Sequence, residues 1–246
     1  RSHGAGRRRR QERALLSAAL RCNMSAFGKQ REKAMSARII TIAQQKGGAG
    51  KTTLAAHLAV AWAKAGRSVA LLDIDPQASI TAWADIRRAL PDAPEQPDIR
   101  ALTGWRVAGE VDKLKRQFDI LVIDSPPHAE TEARVAVRVA DLVVVPVQPS
   151  PMDLWATQAT LDLARQEKTE ALLVLNRVPP RANLADVMEQ AASKLGVKLA
   201  KTRLGNRVAL AAALLEGKGI AEAAPSSVAG REIAALAKEI YKAAKN

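Results

Sequence analysis

The stretch Gln44–Thr53, QQKGGAGKTT, constrains this chain more than any other part of it. It lies between a β-branched apolar run (Ile39, Ile40, Thr41, Ile42) and an apolar helical pattern (Leu54, Leu58, Ala59, Trp62). A strand, a glycine-rich loop and a helix in that order are what a phosphate-binding loop requires. Gly47, Gly48 and Gly50 let the backbone curl so that successive N–H groups face phosphate oxygens. The helix that starts near Lys51 adds the positive end of its dipole. Lys51 then reaches the β- and γ-phosphates, the Thr52 hydroxyl is placed to ligate Mg²⁺, and Thr53 is counted with Lys46, Gly47, Gly48 and Gly50 among the nucleotide-binding residues. A glycine-rich turn that binds nothing is the bland reading, and a GK-Thr sequence between strand and helix argues against it.

Two further apolar runs end in acids. Val69–Gln77 reads VALLDIDPQ, a buried strand whose Asp73 and Asp75 stand at alternate positions and so point the same way. Phe118–Pro127 reads FDILVIDSPP and ends its strand at Asp124. Acids at the carboxyl ends of parallel strands line the crevice where α/β sheets bind ligands, although a strand-end aspartate can also just start a turn.

With Lys46 at the head of the loop, KGGAGKTT resembles the deviant Walker A motif of the ParA/MinD superfamily of P-loop ATPases, and LLDIDPQ and LVIDSPP resemble its Walker A′ and Walker B segments. The resemblance runs from about Arg38 to the C-terminus. It implies ATP and Mg²⁺ as cofactors, a nucleotide-sandwich homodimer in the ATP state, and slow basal ATP hydrolysis stimulated by a partner protein. It gives Lys46, Lys51 and Asp75 the catalytic roles. Lys46 reaches the phosphates of the opposite subunit, Asp75 orients or activates the attacking water, and Asp73 and Asp124 hold Mg²⁺ directly or through its waters. LVVVPVQ (Leu142–Gln148) and LLVLNRVPP (Leu172–Pro180) resemble the next two strands of the family, the second placing the Asn176 amide on adenine. TRLGNRVALAAALLEGKG (Thr202–Gly219) resembles the region that joins base contacts to a DNA-binding face. The small size and this last segment resemble short partition ATPases that lack an N-terminal operator-binding domain.

Composition and periodicity fit that fold class. The chain has 246 residues, 48% of them hydrophobic but only 3% aromatic, so its core must be aliphatic. Strand patterns at Arg38–Ala43, Ser68–Asp73, Ile120–Asp124, Leu142–Val147 and Leu172–Asn176 alternate with helical ones. That order predicts an α/β fold, a mainly parallel twisted sheet with helices on both faces. The Pro91–Pro97 stretch reads as a loop rather than a boundary. One cysteine, Cys22, supports neither a disulfide framework nor a cysteine-rich metal site, and it argues against the nitrogenase iron protein of the same superfamily. His3, His57 and His128 read as structural or solvated. No run of about 18 apolar residues marks a membrane span.

Charge is unevenly distributed. Residues 1–34 carry ten basic side chains against Glu12 and Glu32, a net +8 of the total +13. Without apolar periodicity they read as a disordered or non-native extension, and residues 35–246, beginning MSARIITIAQQKGG, as the ATPase domain. A basic arm on nucleic acid is the other reading of the extension. Because residues 1–34 carry most of the excess charge, the sequence pI of 10.3 does not by itself point to DNA binding. Between Glu189 and Glu216 there is no acid, yet Lys194, Lys198, Lys201, Arg203 and Arg207 are present. From charge alone these form either a solvated face or a phosphate-binding patch. The resemblance favours nonspecific double-stranded DNA and a cytoplasmic, nucleoid-associated ATPase that works with a ParB-like or cargo-adaptor protein to partition a plasmid, chromosome region or protein cargo. The alternatives are a MinD-like membrane-cycling ATPase and a metabolic P-loop phosphotransferase. The former needs an amphipathic C-terminal helix with large anchors. Arg231–Asn246 offers only Ile233, Leu236, Ile240 and Tyr241 with Glu232 and Glu239 among them, a pattern suited to core docking, so no membrane is expected. The latter would need neither Lys46 nor carboxylates arranged around water.

Overall fold

The sheet is built from runs too apolar to face water on either side. In the computed structural model, which describes residues 36–127, 130–180 and 185–244, seven strands form it: β1 (Arg38–Ile42), β2 (Val69–Asp73), β3 (Asp98–Ala101), β4 (Ile120–Asp124), β5 (Leu142–Val147), β6 (Ala171–Leu175) and β7 (Lys198–Leu199). They are all parallel, in the order β3-β2-β4-β1-β5-β6-β7. The five expected strands appear within a residue of their expected bounds. β3 and β7 complete the two edges. The basic segment 1–34, with Cys22 and His3, lies outside the described residues, as does His128.

Alternate residues of each central strand enter opposite cores, the period of a pleated strand. Ile120 and Val122 of β4 face one core while Leu121 and Ile123 face the other. The first face is covered by α1 (Lys51–Lys64), α2 (Ser79–Arg88), α7 (Val208–Leu215), α8 (Ile220–Ala223) and α9 (Val228–Ala243). On the second face lie α3 (Val107–Leu114), α4 (Glu130–Arg138), α5 (Pro151–Gln166) and α6 (Ala185–Lys194). Ile233, Leu236 and Ile240 of α9 are buried in the first core, and the Trp62 indole N–H donates to the Ala237 carbonyl at 3.0 Å. The C-terminal helix is thus docked on the domain as its spacing suggests, and its apolar face is not free to enter a bilayer. Among the described residues no helix is long and apolar enough to cross a membrane.

One buried ion pair fastens α8 to α2. The Arg87 guanidinium donates to both Glu222 carboxylate oxygens, at 2.7 and 2.8 Å, and to the carbonyls of Gly217 and Gln96. Breaking such a pair from one side strands a charge, so Arg87→Ala is expected to lower unfolding free energy by about 3–5 kcal/mol in urea titration. A loss under about 1 kcal/mol would place the pair among weak surface contacts instead.

Candidate functional site

The loop after β1 is fixed at both ends by side chains of the neighbouring elements. Gln44 is buried. Its amide donates to the Pro146 carbonyl at 3.3 Å and the Thr157 hydroxyl at 3.1 Å, and accepts from Thr160 at 3.2 Å. The Gln45 N–H donates to the same Thr160 hydroxyl at 3.1 Å. α5 therefore splints the entry to the loop. At the exit, Gly50 has φ +90°, and a Cβ there would stand 2.6 Å from the Asn176 amide nitrogen, so conformation and space both demand glycine. Gly48 has φ +75°. The first turn of α1 has neither a side-chain cap nor an acidic residue. Its N–H groups stay available to an anion.

Pairing within the sheet gathers the acids. Asp124 is in register with Ile42 on one side and Asp73 on the other. Asp124 is fully buried and neither carboxylate oxygen has a hydrogen-bond partner of normal geometry. Burial pushes its carboxyl up to about 7; the Thr52 hydroxyl and Lys51 pull it down, while Asp73 and Asp75 push it further up. Lys51 is itself buried, which lowers its pKa, and Asp124 and Asp75 oppose that fall. Two orphaned carboxylate oxygens beside an ammonium and a hydroxyl are an arrangement that a hard cation and phosphate would complete. Among the described residues no group of His, Cys, Asp and Glu could hold a metal by itself. A P-loop site fits this, because it draws on a hydroxyl, phosphate oxygens and waters.

Asp73 sits in the cluster but is already engaged. Its Oδ2 accepts from the Thr81 N–H at 2.9 Å and the Thr81 hydroxyl at 2.8 Å, so it anchors the first turn of α2. Asp75 is half-buried just beyond β2 and accepts from the Gln77 N–H at 3.0 Å. Lys46 lies at the loop's outer edge with 40% of its side chain exposed, its ammonium 2.8 Å from the Asp153 carboxylate on α5. Partial burial would raise the Asp153 pKa, but hydrogen bonds from Lys46 and Ser150 outweigh it and hold the carboxyl below its ordinary range.

A cleft of about 290 Å³ adjoins the loop, lined in part by Gly50, Thr53, Asn176, Arg177, Asn206 and Arg207. Asn176 lines this cleft, and its amide is held on both sides. Nδ2 donates to the Ala49 carbonyl at 2.8 Å, and Oδ1 accepts from the Arg177 N–H at 2.9 Å.

The basic segment is less uniformly basic in space than in sequence. Glu239 of α9 accepts from the backbone N–H groups of Lys201 and Thr202, and Glu232 accepts from the Gly205 N–H. Arg207 is paired with Glu232 at 2.7 Å and lies on the cleft wall. Lys194, Lys198, Lys201 and Arg203 are exposed, with Lys198 in a 3.3 Å surface pair with Glu170. Sequence reasoning passed over Gln44, Thr81 and Asp153. Ser150-Pro151 followed by an acid was a legible helix start, but nothing along the chain pointed Asp153 at Lys46.

The chain is similar to known proteins over most of its length. It is 30% identical over 187 residues to the maintenance of carboxysome distribution protein A of Halothiobacillus neapolitanus, covering 74% of this chain and 85% of that protein. It is 30% identical over 236 residues to the chromosome-partitioning ATPase Soj of Thermus thermophilus, covering 82% and 95% respectively. Among solved structures, the cell division ATPase MinD of Pyrococcus furiosus superposes with a TM-score of 0.66 at 24% identity, over 83% of this chain and 98% of that one. MinD of Pyrococcus horikoshii, solved with Mg-ADP, superposes with the same TM-score at 22% identity, over 84% and 96%. A family model matches residues 40–220, from β1 and its glycine loop through the acids to α8, and by that match the chain belongs to the family of the CobQ/CobB/MinD/ParA nucleotide binding domain.

Proposed function

We propose that this protein is a ParA-type ATPase that dimerises on ATP, holds double-stranded DNA without sequence preference, and positions a cargo through an adaptor protein that stimulates hydrolysis. The observation that carries the reading is the grouping of Lys51, Thr52, Asp75 and Asp124 behind the glycine loop, with Lys46 exposed at its rim. Thr52 and Asp124 would hold Mg²⁺, and Asp73, already bound to Thr81, would act through a water. Bound Mg²⁺ supplies charge neutralisation at the β- and γ-phosphates. Lys51 would bind the same phosphates from the loop, Asp75 would orient the attacking water, and Lys46 would exchange its pair with Asp153 for the phosphates of the second subunit. Asn176, braced against the loop, would meet adenine at the cleft. The names of the relatives include both a carboxysome and a chromosome system, so the adaptor rather than the ATPase core would select the cargo.

DNA co-sedimentation by a chain beginning at Met35, with and without ATP, tests the reading free of the arginine-rich segment. The ATP form should bind duplex of any sequence, since a dimer links two weak patches into one event. Affinity should fall steeply with salt as counterions compete. Changing Lys194, Lys198, Lys201 and Arg203 together to alanine should remove binding while ATP affinity stays. Arg207 is left in place because it lies on the nucleotide cleft. Equal binding with and without ATP, or ATP-dependent binding to anionic vesicles instead of DNA, would overturn the DNA reading.

A further inference from the structure

One buried titratable side chain has no part in the chemistry above. His57 of α1 is fully buried and touches two backbone groups far along the chain. Its Nε2 lies 3.1 Å from the Leu210 carbonyl oxygen on α7, and its Nδ1 accepts from the Ile220 N–H on α8 at 3.0 Å. A carbonyl can only accept and an amide N–H can only donate, so the ring is the neutral tautomer with its proton on Nε2. Burial keeps it neutral, pushing its pKa down to about 4 against the opposing Leu210 hydrogen bond.

The two partners matter because of where they lie. α1 carries Lys51 and Thr52 in its first turn, and Leu210 lines the cleft together with Gly50 and Thr53. A Cβ on Gly219, the residue before Ile220, would stand 2.6 Å from the Val60 side chain, so the backbone entering α8 rests directly on α1 one turn beyond His57. A single imidazole thus joins the phosphate end of the cleft to its opposite wall.

We propose that His57 is a positioning residue that sets the base-side wall of the nucleotide cleft against the phosphate loop through its Nε2–H bond to Leu210. The inference rests on the nucleotide reading of the cleft. Two conservative replacements separate its links. An asparagine oxygen can stand near the Nδ1 position and keep the Ile220 N–H, but leaves Leu210 without a donor. A glutamine amide reaches the Nε2 position and keeps Leu210, at the expense of Ile220.

The test compares calorimetric affinities of the full chain for ATP and for inorganic tripolyphosphate, which offers phosphates without a base, alongside thermal melting. In His57→Asn, ATP affinity should fall about tenfold while tripolyphosphate affinity stays within about twofold, as expected for one lost buried hydrogen bond on the base side. His57→Gln should keep ATP affinity within about threefold of wild type. If both variants melt lower but keep the wild-type ratio of ATP to tripolyphosphate affinity, His57 is only structural and the proposal is wrong. Equal loss of both ligands overturns it as well. A wild-type chain that binds neither ligand overturns the nucleotide reading itself and is distinguished by that. Nitrogen NMR on the unsubstituted protein checks the premise, because His57 should stay protonated on Nε2 alone from about pH 5 to 8; an Nδ1–H tautomer, or titration in that interval, sinks the proposal.

Discussion

Lys51→Ala should cost about two orders of magnitude or more in ATP affinity, because it removes a charged donor from the phosphates and leaves two acids unopposed. Lys51 acts between Asp124 and Asp75, both of which interact with its charge. Without it, the incoming phosphates meet Asp124 and Asp75 with one positive charge fewer beside them, so the loss exceeds that of one contact. Folding should not suffer in parallel. Burial lowers the pKa of Lys51, which means the folded state disfavours the charged ammonium relative to the unfolded chain. At neutral pH the group therefore opposes folding, and its removal should leave the melting temperature of the nucleotide-free protein equal or higher. Calorimetry with ATP and a thermal melt check both halves. Undiminished ATP affinity in the variant would remove the basis of the functional reading.

The part of the fold that could be read along the chain is the part where both faces of a strand are buried. β1, β2, β4, β5 and β6 are nearly continuous aliphatic runs, and such runs have few other places to go. β3 escaped notice because Asp98-Ile99-Arg100-Ala101 sits half-exposed at an edge and carries charge. β7 is two residues long, too short for any period. The phosphate loop and its acids were legible for a related reason. Each belongs to a short contiguous motif at a strand end, where the parallel sheet itself brings Ile42, Asp73 and Asp124 into register. Asp153 is 107 residues from Lys46, and Leu210 is 153 residues from His57; no local pattern encodes such meetings. The same distance in sequence explains the basic segment. An acid-free stretch looked like an uninterrupted patch, but Glu232 and Glu239 fold back onto it from α9 and leave a narrower basic surface.

Asp75→Ala and Lys46→Ala should fail in different ways, and the difference isolates what each side chain does. Asp75 is not a structural keystone. The clamp on α2 belongs to Asp73 and Thr81, while Asp75 accepts one hydrogen bond from Gln77. Asp75→Ala should therefore fold, bind ATP and dimerise, yet hydrolyse about 10²–10⁴-fold more slowly for want of a group to orient or activate water. Lys46 is held in place by one partly exposed pair with Asp153. The ammonium end of that pair is 40% exposed, which makes it weaker than a fully buried pair and replaceable by the phosphates of a second subunit. Lys46→Ala should then bind ATP as a monomer and stay one, since the charge that bridges the subunits is gone. Light scattering with ATP separates the two variants directly: Asp75→Ala doubles in mass and Lys46→Ala does not. If the Lys46 variant doubles as wild type does, the lysine serves its own subunit and the dimer must be held by other contacts.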